Sequence, residues 1–183
     1  MNESDYEQAV ATFYEALYAF GYSLAGNEDD AGELTQETYC RLLTKGGQLR
    51  DPSKVKSWLF TTLYRVFLGW KQRRARLPHF EISSVESELP VITPQHVDVL
   101  RNDAIRDALL ELEEHYRTPI MLYYLNDHSY EEIASTLDVP IGTVMSRLSR
   151  AKGLLRERLV ARAIGVESVS KILPFERKSN SAP

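Results

Sequence analysis

The chain has 183 residues, 43% of them apolar and 26% charged, with a formal net charge of -4. That profile fits a folded globular protein and excludes a disordered one, and no run of about 18 apolar residues exists to cross a membrane as a helix. The single cysteine, Cys40, cannot close an internal disulfide, and the acidic start MNESDYEQ lacks the basic and apolar parts of a secretory signal, so a reducing, cytoplasmic setting is expected.

In chain order nearly everything reads as helix. Over residues 4–25, Val10, Phe13, Tyr14, Leu17, Phe20 and Leu24 recur at helical spacing and form one apolar stripe. Gly26-Asn27 ends that helix, Asn27 or Glu28 opens the next, and Lys45-Gly46-Gly47 stops it near Leu43. Asp51 caps and Pro52 starts a third helix, roughly 53–76. It is aromatic in its middle (Trp58, Phe60, Tyr64, Phe67, Trp70) and basic at its end, with Gly69 as the place for a bend. Residues 77–97 carry Pro78, Pro90 and Pro94 and no sustained period. A linker of about twenty residues is expected there, since that exceeds an ordinary connection in a compact domain. Further helices are expected near 98–115, 118–126, 129–137 and 141–163, followed by a tail, 164–183.

The fold class is therefore all-α: two small helical domains, 1–76 and 98–163, joined by a flexible linker.

Charge is distributed unevenly, and that asymmetry is informative about partners. Residues 1–40 hold nine carboxylates and no Lys or Arg, residues 65–76 hold five bases and no acid, and residues 141–162 hold six bases against Glu157. One segment suits a basic surface, and two suit an anion.

Residues 129–159, SYEEIASTLDVPIGTVMSRLSRAKGLLRERL, read as a helix-turn-helix. Ser129 and Glu132 form a capping box, and Ile133, Ala134 and Leu137 face inward. Asp138-Val139-Pro140 makes the turn, with Val139 as an apolar plug. The second helix buries Val144, Leu148, Ala151, Leu155 and Leu159. Its other face presents Thr143, Ser146, Arg147, Ser149, Arg150 and Lys152. Arg can bond guanine bidentately, and Ser or Thr can meet base edges or phosphates. DNA binding follows from cap, turn, plug and basic face falling at the right offsets.

The stretch TPIMLYYLNDHSYEEIASTLDVPIGTVMSRLSRAKGLLRERL closely resembles the C-terminal domain of extracytoplasmic-function (ECF) sigma factors of the sigma-70 family. YSLAGNEDDAGELTQETYCRLL and KSWLFTTLYRVFLGWKQRRAR resemble the N-terminal domain, so the likeness covers about residues 8–160. It implies a factor that binds core RNA polymerase and directs it to promoter DNA. Asp30, Glu33, Leu34, Gln36 and Glu37 stand where the family docks on polymerase. Arg65, Lys71, Arg73, Arg74 and Arg76 stand in the promoter-melting helix, where phosphate contact is expected, while Trp58 and Phe67 are expected to pack. Leu49, Arg50, Asp51, Pro52, Ser53 and Lys54 occupy the place of the loop that helps hold a flipped base. An anti-sigma factor is a candidate partner by the same likeness.

The chain departs from the family at Arg65, often Asn, at Gly69, often Asp, and at Met145, often Lys or Arg. The family's minus-ten preference is therefore not carried over.

Two rival readings fit the residues less well. A regulator with this C-terminal module and a sensor domain has no reason to carry both N-terminal motifs. A metal-dependent nucleotide hydrolase could use Asp29, Asp30, Glu33 and Glu37, but the neighbouring helix is basic, and His79, His96, His115 and His128 are scattered. No catalytic residues, cofactor, metal, small-molecule substrate or membrane insertion is expected.

Overall fold

The structure, a computed structural model, describes residues 3–49, 51–76, 103–124 and 126–161. The expected linker 77–97, the tail 164–183 and Arg50 lie outside the described residues. Seven α-helices run through them: α1 (Glu3–Ala25), α2 (Glu28–Lys45), α3 (Val55–Arg76), α4 (Asp103–Leu110), α5 (Glu114–Tyr124), α6 (Tyr130–Leu137) and α7 (Ile141–Ala161), with short 3-10 turns at Gly46–Gln48 and Pro52–Lys54. No strand occurs among the described residues.

The first three helices form the N-terminal unit. Gly26 takes φ +81°, a left-handed conformation that reverses the chain after α1. Asn27 then caps α2, its side chain accepting from the Asp30 amide at 2.9 Å. The helices cross closely because Gly21 has no side chain: a Cβ there would stand 3.3 Å from the Ala31 carbonyl oxygen. Leu17, Phe20 and Leu24 of α1 meet Leu34 and Leu42 of α2 and Leu59, Phe60 and Leu63 of α3 in the core. Each such side chain, fully buried, contributes roughly 1.5–3 kcal/mol.

Some expectations are corrected. Val10 is 40% exposed while Ala9 is buried, because the inward stripe passes through Ala9 and leaves Val10 a third of a turn away. α2 continues to Lys45, past the expected stop at Leu43. Gly69 lies inside an uninterrupted α3.

The expected helix 98–115 is corrected most. It is described from Asp103, ends at Leu110, and α5 begins at Glu114 in place of residue 118. Leu112, only 2% exposed, turns into the core at the break. Arg117 holds it there, its guanidinium donating to the carbonyls of Leu110 (2.6 Å) and Leu112 (3.1 Å). A part-buried donor thus satisfies carbonyls that the end of α4 leaves open.

α6 and α7 form the helix-turn-helix. Both halves of the capping box are present: Ser129 Oγ accepts from the Glu132 amide, and the Glu132 carboxylate accepts from the Ser129 amide. Asp138 turns the chain with φ 52°, and Val139 packs part-buried against the core. Val144, Leu148, Ala151, Leu155 and Leu159 are all at most 2% exposed.

The two units lie against each other. α3 packs on α6, and α1 packs on α5. Ser57 donates to Glu132 at 2.6 Å, and the hydroxyls of Thr61 and Thr136 share a hydrogen bond at 3.0 Å. Lys71 pairs with Glu114 at 2.7 Å. Phe60 stands between Phe20 and His128, its ring centroid 5.4 Å from the first and 4.9 Å from the second.

Candidate nucleic-acid interface

The recognition face is set by the buried stripe of α7, which fixes which residues turn outward. Ser146, Ser149 and Arg150 are exposed, while Thr143 and Arg147 are half-buried. Arg150 has no ion-pair partner among the described residues. Ser146 donates to the Thr143 carbonyl at 3.0 Å, so its lone pairs, not its proton, face outward. Lys152 lies 5.6 Å above the ring of Tyr124, at the end of α5, in a cation–π contact. Arg147 lies close enough to α3 for its charge to act on Tyr64, whose phenol is raised by burial first and then by Glu114, with Arg147 opposing. Arg158 is held within the fold, where it pairs with Glu111 and donates to the Leu154 and Glu111 carbonyls.

The basic end of α3 divides in the same way. Arg65, Arg73 and Arg76 are exposed and make no ion pair among the described residues. Arg74 instead grips Asp30 of α2 with two hydrogen bonds, of 2.9 and 2.7 Å, and lies 5.7 Å over the Trp70 ring. Its guanidinium holds the Asp30 carboxyl below the usual carboxylate range, helped by Asn27. Lys71 is tied to Glu114 and sits over Phe67.

Among the expected docking residues of α2, Glu33 and Gln36 are exposed. Glu37 receives both the Arg41 guanidinium (2.6 Å) and the Trp70 indole (3.1 Å). Leu34 is fully buried. From there it anchors α2 to the core.

Of the loop residues, Asp51 accepts from the Ser53 amide and hydroxyl, at 3.0 and 2.7 Å, and Pro52, Ser53 and Lys54 are exposed. Phe67 is buried and Trp58 part-buried against the core, as packing residues.

Residues that sequence reading missed lie between the units: Ser57, Phe60 and Thr61 on α3, and His128, Glu132 and Thr136 around α6. Their signal was available, since Ser57/Thr61 and Glu132/Thr136 are each i,i+4 polar pairs on helices otherwise facing a core. Burial opposes ionisation of Glu132, but hydrogen bonds from Ser57 and Ser129 outweigh it and hold the carboxyl low. No group of three or more His, Cys, Asp or Glu side chains able to hold a metal forms among the described residues.

Comparison with known proteins fits this geometry. Residues 9–77 match the family model for sigma-70 region 2, and residues 102–155 match that for sigma-70, region 4. The ECF RNA polymerase sigma factor EcfG of Rhodopseudomonas palustris is 32% identical over 76% of this chain and 77% of its own length. This chain belongs to the ECF sigma factors of the sigma-70 family.

Other relatives of this sigma factor agree. SigE of Mycolicibacterium smegmatis is 30% identical over 84% of the chain, which spans 61% of that relative's length. The solved structure of the sigma factor RpoE in complex with the anti-sigma factor NepR, from Bartonella quintana, aligns with a TM-score of 0.67 at 30% identity, covering 86% of this chain and 98% of that one. CnrH, solved with the cytosolic domain of CnrY, shares the fold with a TM-score of 0.63 at 22% identity, over 87% and 90% of the two chains. Sigma factors are transcription initiation factors, and the ECF sigma factor described here carries both sigma-70 region 2 and sigma-70 region 4. Among its described residues no helix is long and apolar enough to cross a membrane.

Proposed function

We propose that this sigma factor binds core RNA polymerase and directs it to specific promoters in the cytoplasm, acting by binding alone without catalysing a reaction. The observation that carries the reading is the pairing, in one chain, of a buried-stripe recognition helix with a second helix that ends in exposed arginines. α7 reads the minus-thirty-five element as duplex through Ser146, Arg147, Ser149 and Arg150, with Thr143 and Lys152 at the margins. α3 follows the backbone of the melted minus-ten region with Arg65, Arg73 and Arg76. Arg74 and Lys71 join them once released from Asp30 and Glu114. Capture of unstacked bases drives melting, each stacking contact contributing roughly 1–3 kcal/mol. Asp30, Glu33, Gln36 and Glu37 form the acidic docking face for polymerase.

The closed packing bears on this mechanism. The two promoter elements are about 25 base pairs apart by their names, ~85 Å at 3.4 Å per pair. The described residues, about 130 of them in one compact body, are roughly 40 Å across. The contacts of α3 with α6 therefore separate before both elements are held together. Anti-sigma factors are the expected class of regulatory partner, as for the Bartonella relative.

The test is transcription in vitro with core polymerase, this protein and a fragmented library of its own genome. Discrete new transcripts are expected. Specific duplex binding without polymerase, and no transcripts, would instead support a sensor-type regulator.

A further inference from the structure

The outward side of the recognition helix is not uniformly polar. Ile141 and Met145 are 43% and 53% exposed, large apolar side chains standing in water on the leading two turns of α7. They lie four residues apart, on one side of the helix, about 6 Å from each other along its axis. Ser149, Arg150 and Ser146 are exposed beside and behind them. At Gly142, between them in sequence, a Cβ would meet nothing within 4 Å beyond its chain neighbours and its own helix's backbone, so the helix start is open to close approach. An apolar edge bordered by serines and an arginine suits a surface that is mostly polar and anionic but carries isolated methyl groups. The major groove of duplex DNA is such a surface: the 5-methyl of thymine is the apolar feature on its base edges.

We propose that Ile141 and Met145 are specificity residues that read thymine 5-methyl groups in the upstream promoter element. The proposal rests on the promoter-binding reading above and adds a base class to it. Arg150 and the serines supply the polar contacts, while the apolar pair selects thymine at one or two neighbouring base pairs. The 6 Å offset between the two side chains compares with 3.4 Å per base-pair step, so the positions read are about one or two steps apart. Cytosine at such a position leaves the side chains against a bare edge and removes the contact.

The experiment uses the full chain on core polymerase and the upstream element found by mapping its transcripts. Each thymine of that element is replaced singly by deoxyuridine, which deletes the methyl group and nothing else. Affinity is expected to fall about fourfold at one or two neighbouring positions, the worth of one methyl group. In Met145→Ala or Ile141→Ala the matching penalty disappears, and in Met145→Leu it persists. Thermal melting of each variant confirms that it folds as the parent does. Sequence-dependent binding that no deoxyuridine weakens, or a penalty unchanged in both alanine variants, overturns the proposal and leaves the promoter reading intact. Absence of any sequence-dependent upstream binding overturns both.

Discussion

Replacing Thr61 and Thr136 by cysteine tests whether the two units must part for transcription. Their hydroxyl oxygens are 3.0 Å apart across the α3–α6 contact. Each oxygen stands one bond from its Cβ, as a sulfur would, so the two thiols fall within reach of a disulfide. Exposed Cys40 is first changed to Ser to remove the competing thiol. The positions are 75 residues apart, and closing a loop of about that length stabilises the folded chain by ~4–5 kcal/mol on the chain-entropy account. A clear rise in the unfolding midpoint on oxidation therefore verifies that the bond formed without distorting the fold.

Function should move the other way. The oxidised protein cannot spread from roughly 40 Å to the ~85 Å between promoter elements. Run-off transcription should fall to the fraction of protein still reduced and return on adding dithiothreitol. Each single-cysteine variant should transcribe alike with and without reductant. An oxidised, verified double variant that transcribes at the reduced rate would falsify the opening step. The α3–α6 packing would then be compatible with the active complex.

Three further outcomes are expected. His128 is 2% exposed against Phe60, and its pKa is lowered, by burial first, with Lys56 adding to the effect and the Asn126 carbonyl, Glu132 and Asp127 opposing it. The unfolded chain then takes up the proton more readily, so stability is full above about pH 6.5 and is lost as pH falls through the folded pKa, by at most ~1.4 kcal/mol per pH unit. Urea midpoints at several pH values should show this slope, and His128→Gln should remove it. Leu148→Ala should cost about 2–5 kcal/mol, since Leu148 is buried to 2%. Its exposed neighbour Ser149→Ala should change stability by no more than ~0.5 kcal/mol while weakening upstream DNA binding. Equal destabilisation in denaturant melts would mean that the inward face has been misassigned. Asp30→Asn should cost under about 1 kcal/mol, because Arg74 remains largely in solvent. The pair's contribution is present above the ordinary Asp value of 3.8 and lost as pH falls through the lowered one. A larger loss at neutral pH, read by thermal melting, would refute the surface-pair account.

Much was legible in the sequence because it depends on neighbours three and four residues apart. The capping box at Ser129 and Glu132, the Asn27 and Asp51 caps, the turn at Asp138 and the five-residue stripe of α7 are all local patterns. Spacing along one helix suffices to place them, and the family resemblance rests on the same patterns. Tertiary structure decided which charges remain available. Asp30, Glu37, Lys71, Arg74 and Arg158 all read as solvent-facing, yet each is held by a partner in the folded chain. Leu34 is hidden although its helix reads as acidic and exposed. The break at Leu112 depends on Arg117 reaching back to Leu110 and Leu112. The contact of Thr61 with Thr136 spans 75 residues. Periodicity carries no information about such partners: ion pairs and cross-unit hydrogen bonds form only where packing has brought distant backbone within reach.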